Sequence, residues 1–282
     1  MVGDQIEDHT FLVVTPNYNM EAYLERTIES VIKNLRHGDK YFIVDGGSTD
    51  GSVNIIRSYE KYLTGWVSEP DQGYSDALSK GFGKVHSEYL CWINSGDLLL
   101  YGALDEARSR LSFSKADMIF GDDFYIDEDD KIIFHSYGKT RSLKNMMLYG
   151  GWTPLQDACF WRRKLYDAVG GLDVRLTHAA DYDLFLRMSM VGQCEYAPLV
   201  FSAFRKHEGQ KSIQGRMEYK RERNLCRIKS LYGNNCLWIV RKCLTIYYWI
   251  AVRVRSRVLQ SIYKSKRHTG ESIHHFSCRS YL

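Results

Sequence analysis

Residues 11–15 form a short apolar, β-branched run that stops at Pro16, the pattern of a buried strand. Behind it Leu24, Ile28, Val31, Ile32 and Leu35 recur three and four apart, which predicts a helix over 21–36. A second apolar run, 41–45, ends at Gly46 and Gly47, and 52–63 has a helical spacing. Residues 65–68 fit a short third strand, 72–85 a third helix and 89–93 a further buried strand. Strand alternating with helix in this rhythm predicts an α/β fold, a mostly parallel sheet flanked by helices. In such sheets ligands lie beyond the carboxyl ends of the strands.

Further along, 118–121 reads as a strand with Asp122 and Asp123 at its tip, followed by an acidic turn at 127–130. Residues 158–161 read as a strand and 164–169 as a short helix closed by Gly170 and Gly171. An amphipathic helix is predicted over 181–191. The one boundary that the pattern supports lies near 205–215, dividing residues 1–213 from a tail, 214–282.

Composition sharpens that division. Residues 1–204 carry 20 basic and 30 acidic side chains, whereas 205–282 carry 18 and 4. An acidic body with a basic tail predicts two surfaces with different partners. Within the tail, 216–232 reads as a charged helix, and 236–263 interleaves Trp238, Tyr247, Tyr248 and Trp249 with Arg241, Lys242, Arg253 and Arg255. That pattern suits a helix in the interface of an anionic membrane. It equally describes an amphipathic helix packed on the body, while the acidic body argues against nucleic acid. The seven cysteines include no CxxC pair, residues 1–10 are polar and acidic, and no run approaches the ~20 apolar residues of a membrane span. The expected location is therefore cytoplasmic, at most peripheral on the inner face of the membrane.

The residues after the strands are the candidate chemistry. They are Thr15 to Asn19, Asp45 to Asp50, Glu69 to Gly73 and Asn94 to Asp97. Asp45 can accept hydrogen bonds from a base or ribose, and the glycines beside it let a ligand approach the backbone. Asp97 can hold a divalent cation against a diphosphate, since Mg²⁺ and Mn²⁺ take one or two carboxylates plus phosphate oxygens. Each cluster taken alone is also ordinary turn chemistry, in which Asp caps and Gly permits positive φ. Asp181 and Asp183 open a helix, where one can act as general base and the other can cap the helix or bind acceptor.

Together these motifs resemble family 2 glycosyltransferases, which are inverting, nucleotide-sugar-dependent enzymes of GT-A fold. Residues 15–19 match the opening motif of that family, 43–51 its second, 68–81 its third and 93–97 its fourth. Residues 170–173 and 181–187 match its acceptor-side motifs, so the resemblance spans roughly 10–213. It implies a donor half over about 10–100 and an acceptor half over 101–213, followed by the basic helical extension. The donor nucleotide would be bound by Thr15, Pro16, Tyr18, Asn19, Asp45, Gly47, Asp71, Gly73, Asp76 and Lys80, with Arg205 and His207 closing over the diphosphate. Asp97 would be the metal ligand for Mn²⁺ or Mg²⁺, Asp181 the general base, and Gln156, Asp173 and Asp183 acceptor contacts.

One departure is the metal motif. The family often has two acidic residues there, whereas Asn94, Ser95, Gly96 and Asp97 offer one carboxylate, which predicts weaker metal affinity. The implied reaction moves a sugar from a nucleoside-diphosphate donor to a saccharide or lipid-linked saccharide hydroxyl, in cell-surface polysaccharide or glycolipid synthesis. Two rivals fit an α/β nucleotide-binding core. A nucleotidyltransferase would carry a Gly-rich basic loop where residues 15–19 have neither Gly nor Lys. A non-catalytic nucleotide- or sugar-binding protein would not need both Asp97 and Asp181.

Overall fold

The apolar runs lie side by side in one nine-stranded sheet in the computed structural model, which describes residues 9–138, 142–150, 152–207, 215–232, 272–273 and 277–278. The first half runs β1 (Phe11–Asn17), α1 (Glu21–Ile32), β2 (Lys40–Asp45), α2 (Ser52–Ser58), β3 (Gly65–Ser68), α3 (Tyr74–Lys84), β4 (Tyr89–Trp92). The second half runs β5 (Leu98–Leu99), α4 (Ala103–Phe113), β6 (Met118–Ile126), β7 (Ile132–Ser136), α5 (Leu143–Asn145), β8 (Cys159–Arg162), α6 (Arg163–Ala168). It closes with α7 (Ala180–Val191), β9 (Cys194–Arg205) and α8 (Arg216–Tyr232).

The strand order is β3-β2-β1-β4-β8-β6-β9-β5, with β7 paired to β6. β3, β2, β1 and β4 are mutually parallel, as the first hundred residues predict. β8 then enters antiparallel between β4 and β6, while β9 runs parallel to β6. The sheet is therefore mixed. Its second half departs from expectation in two ways. β6 runs on past Gly121, so Asp122 and Asp123 sit inside the strand and not at its tip. β9 was not legible at all: it contains Pro198, which cannot donate to a ladder, and the pairing with β6 shifts register across 196–200.

Buried strands sort their alternate side chains to two faces. Leu12, Val14, Val44, Leu90 and Trp92 meet Ala77, Leu78 and Phe82 of α3 and Phe185 of α7. Phe11, Val13, Ile43 and Cys91 meet Leu24, Ile28 and Val31 of α1 and Leu104, Ala107 and Leu111 of α4. Both faces are covered, which is why the strands read as continuous apolar runs.

The approach of α3 to the sheet depends on Gly81. A Cβ there would lie 2.5 Å from Val14 Cγ1 and 3.2 Å from Val44 Cγ2. Gly81→Ala gains about 1 kcal/mol of helix propensity, but overpacking costs about 1–3 kcal/mol. The expected net result is a lowered urea midpoint. An unchanged midpoint would mean that Val14 rotates away without cost.

The helix that opens the expected tail is part of the core. Cys226 of α8 is buried in the cluster beneath α7, and Arg227 Nε donates to Leu148 O at 2.8 Å. The boundary expected at 213/214 thus falls between β9 and a helix packed on the same body. Farther along, Ile273 N–H donates to Asp130 O and Cys278 N–H to Tyr101 O, each at 3.0 Å. The stretch 236–263, expected at a membrane interface, lies outside the described residues. Among the described residues no helix is long and apolar enough to cross a membrane.

Candidate active site

The loops that follow β1, β2, β3 and β4 interlock through side chains. Asp45, fully buried at the end of β2, is their hub. Its Oδ1 accepts from Asn17 Nδ2 (2.7 Å) and Ser48 Oγ (2.5 Å), and its Oδ2 from Ser68 Oγ (2.6 Å), Ser48 N (2.9 Å) and Gly47 N (3.2 Å). Burial alone would push this carboxyl up, but the donors from Ser48, Ser68 and Asn17 outweigh it and hold Asp45 below the ordinary range. Asp45 therefore acts here by tying three loops together.

Around it, Gly47 has φ +82° beside Pro70, and a Cβ on Gly46 would meet Asp71 Oδ2 at 2.6 Å. Asn19, at φ 51°, accepts Thr49 N–H (2.8 Å). Ser95 Oγ donates to Pro16 O at 2.7 Å, which joins the β4 loop to the same cluster. Asp71 accepts Gly73 N–H (2.8 Å), and Asp76 pairs with Lys80 (3.3 Å), whose charge Glu69 also holds at 3.0 Å. The Glu69 carboxylate, with Asp76, keeps the Lys80 ammonium above its ordinary range. Tyr18 projects outward, 60% exposed, whereas Thr15 is buried with its hydroxyl on Tyr41 (2.9 Å). The residues expected to bind the donor, other than Arg205 and His207, thus gather at one edge of the sheet, with Tyr18, Asn19, Gly47, Asp71, Gly73, Asp76 and Lys80 at its surface.

Asp97 lies deeper, 4% exposed. Its Oδ1 accepts Arg205 N–H at 3.0 Å, and its Oδ2 has the Asn94 amide at 3.5 Å. Burial, and then the neighbouring Asp157, push its proton affinity well up. Asp123 and Asp157 are buried with it: burial and then Asp157 push Asp123 well up, and burial alone raises Asp157, to about 7. Asp157 had no signal in the rule that ligands follow parallel strands. It precedes β8, but β8 is antiparallel, so its start lies at the edge where β4 ends.

Arg205 and His207 are placed differently from expectation. Arg205 is fully buried, with Nε on Gly96 O (2.8 Å), Nη1 on Asp127 O (2.8 Å) and Nη2 against Asp130, and its guanidinium stacks over Tyr23 at 4.9 Å. It braces the Gly96–Asp97 turn from beneath. His207 packs on the same Tyr23 ring at 5.4 Å, and burial lowers its proton affinity.

Asp181 sits in the first turn of α7. The residue is half-buried, yet its Oδ1 is sealed from solvent and has no hydrogen-bond partner among the described residues. Burial pushes the carboxyl up to about 6, with a smaller push from Glu222. The Tyr74 hydroxyl, one residue beyond the Gly73 loop, accepts Ala180 N–H (3.0 Å) and Asp181 N–H (3.4 Å), tying α7 to the donor edge. The acceptor-side expectations are mostly engaged internally. Asp183 is buried against Arg187 (2.7 Å), and Asp173 is held by Arg175 (2.8 and 2.7 Å), which lowers it to about 2. Gln156 is buried, with Oε1 on Asp157 N–H (2.6 Å).

A cavity of about 650 Å³ lies at the opposite edge of the strands, lined by Lys40, His86, Arg162 and Arg163. Its cations are spent on the His86 carbonyl, on Glu88 and on the Phe82 carbonyl.

Comparison with known proteins gives the family and the fold. The sequence model described as glycosyl transferase family 2 matches residues 12–170. Glycosyltransferase GlyA of Streptococcus pneumoniae is 24% identical over 181 residues, covering 57% of this chain and 26% of that protein. The chain thus spans about a quarter of that relative. Among solved structures, S. aureus TarS 1-349 in complex with UDP-GlcNAc superposes with TM-score 0.61 at 16% identity, over 86% of this chain and 71% of that one. Mannosyltransferase PcManGT from Pyrobaculum calidifontis, in complex with GDP-Man and Mn²⁺, gives 0.59 at 13% identity over 92% and 82%. At such identities the likeness is one of fold, and that fold is GT-A.

Proposed function

The chain belongs to glycosyl transferase family 2, a family of sugar-transferring enzymes, and from that premise we propose that it moves a sugar from a nucleoside-diphosphate donor to an acceptor hydroxyl by single displacement with inversion. The observation that carries this reading is Asp181. A carboxylate in the first turn of α7, with one sealed oxygen and a proton affinity raised by burial, is poised to accept a proton near neutral pH. Tyr74 links it to the loops that would hold the donor. In this reading Asp181 takes the proton of the acceptor hydroxyl as its oxygen attacks the anomeric carbon, and the nucleoside diphosphate leaves.

The donor would lie across the β1–β4 loop edge. The exposed Tyr18 ring offers a face for the base, and Lys80 offers charge to the diphosphate, released from Glu69 and Asp76. TarS binds UDP-GlcNAc and PcManGT binds GDP-Man with Mn²⁺, so both uridine and guanosine donors are in scope.

A divalent cation would be held by Asp97. One of its oxygens takes Arg205 N–H, whereas the other has, among the described residues, the Asn94 amide at 3.5 Å and keeps the capacity to coordinate. Among the described residues no group of three or more His, Cys, Asp and Glu side chains is arranged to hold a metal. The donor's phosphate oxygens would complete the shell, as is usual for Mg²⁺ and Mn²⁺. Such a cation supplies charge neutralisation for the leaving diphosphate. A saccharide or lipid-linked saccharide acceptor in polysaccharide or glycolipid synthesis, with peripheral membrane contact through the basic tail, completes the proposal.

A thermal-shift panel of UDP, GDP, dTDP and CDP, each with and without Mn²⁺, tests it. At about a hundredfold excess over Kd a ligand stabilises by about 2.7 kcal/mol, so one nucleotide should raise Tm by several degrees, and more so with Mn²⁺. If none of the four moves Tm, the donor reading fails and a non-catalytic role takes its place.

A further inference from the structure

The geometry points to Glu222 of α8 as the residue that positions Asp181, by capping the start of α7 and fixing a negative charge beside it. This rests on the reading of Asp181 as the base. A helix leaves its first N–H groups without internal partners, and α7 has Ala179 at its N-cap, with no side-chain cap bond. Glu222 supplies the cap from another helix. Its Oε2 accepts His178 N–H and Ala179 N–H, each at 2.9 Å, and its Oε1 accepts Thr177 Oγ1 (2.9 Å) and Thr177 N–H (3.3 Å). Tyr74 then takes the next two amides, those of Ala180 and Asp181. Every amide from 177 to 181 is held by α8 or α3, so the base has no local freedom to drift.

The same carboxylate acts electrostatically. An uncapped helix N-terminus presents partial positive charge that favours an ionised Asp in the first turn. Glu222 offsets that charge, two residues from the base. The groups set against Asp181 are Tyr74 of α3, Tyr219 and Glu222 of α8, and Cys159 of β8. Burial raises both tyrosines and the thiol well above their ordinary values, so they stay neutral at physiological pH. Glu222 stays ionised, because the amides of Ala179, His178 and Thr177 outweigh its burial. Arg223 of α8 lies over the Tyr182 and Tyr219 rings, and the His178 ring Nδ1 faces Glu222 Oε1 at 3.8 Å.

Carbon-13 NMR of the Asp carboxyls in the full chain, with the Asp181 signal assigned by its loss in Asp181→Asn, reads this directly and needs no substrate. In Glu222→Gln the Asp181 midpoint, near 6 in the parent, should move down. In Glu222→Ala, which has no acceptor, exchange of the 178 and 179 amides should quicken about tenfold, the scale of a lost cap. Glu222→Asp keeps the charge and should hold the midpoint nearer that of the parent. The UDP or GDP thermal shift should be unaffected in Glu222→Gln and Glu222→Asp. A midpoint that stays put in Glu222→Gln overturns the proposal, since Glu222 would then be a cap and nothing more. If Glu222→Gln fails to fold, Glu222→Asp carries the test, and unchanged exchange at 178 and 179 in Glu222→Ala overturns it. Neither result bears on whether the protein transfers sugar, which the activity of Asp181→Asn decides separately.

Discussion

Asp181→Asn should cost about 10²- to 10⁴-fold in turnover, the range for loss of a general base, while the nucleotide thermal shift stays at its parental size. The substitution is isosteric, so the packing at the start of α7 and the Tyr74 bonds to the 180 and 181 amides persist. What disappears is the carboxylate that burial raises to about 6. The pH dependence follows from the same group. A base must be unprotonated, and burial puts Asp181 at about 6, so kcat/KM should fall tenfold per pH unit below about 6 and level off above it.

Stability gives a control of opposite sign. The folded-state pKa of Asp181 is raised above its unfolded value, so ionisation of this group opposes folding above about pH 6, and the penalty fades as pH falls through 6. Asp181→Asn removes that penalty and should be at least as stable as the parent at pH 7. Near-parental turnover would sink the assignment, and a loss of both stability and nucleotide binding would make Asp181 a structural residue.

The second large effect is expected at Arg205. Arg205→Met should destabilise the fold by about 3–5 kcal/mol, the cost of removing one partner of a buried ion pair. It would leave Asp130, buried at 2% exposure, without the guanidinium that sits against it, although the half-exposed Arg26 still pairs with it at 3.0 Å. It would also strip donors from the Gly96 and Asp127 carbonyls. Urea unfolding measures this. Arg205→Lys keeps the charge but not the planar fork, and should fall between parent and Met. The resemblance implies instead an arginine that touches diphosphate. That role would show as an Arg205→Lys protein of parental urea midpoint that no longer responds to nucleotide, and this outcome would overturn the bracing role.

Both residues illustrate how far local pattern reaches. The place of Asp181 at the start of α7 was legible because a carboxylate opening an amphipathic helix is a local feature, and so were the Asp45, Asp71 and Asp97 loops, each stopping an apolar run; the role of base came from the family resemblance. Arg205 was visible as a motif residue, but its direction was not. It ends β9, a strand hidden by Pro198 and by a register shift, so nothing local said which side of the sheet it faced. Asp157 was missed because the strand-end rule assumes parallel neighbours, and Glu222 because 216–232 reads as a charged surface helix.

By itself the chain determined β1 to β4 with α1 to α3, the parallel arrangement of those strands and the edge at which the candidate ligand chemistry gathers. Those follow from which side chains must leave water, a property of each short segment. The tertiary structure alone decided what surrounds the chemistry. The insertion of antiparallel β8 between β4 and β6 brings Asp157 to Asp97, and the packing of α8 on α7 puts Glu222 on the amides of 178 and 179. Asp157 and Asp97 lie 60 positions apart in the chain, and Glu222 lies 44 and 43 positions from His178 and Ala179. A contact over such a separation is set by sheet order and helix docking, which minimise exposed apolar surface over the whole body, and no period of two or 3.6 residues encodes it.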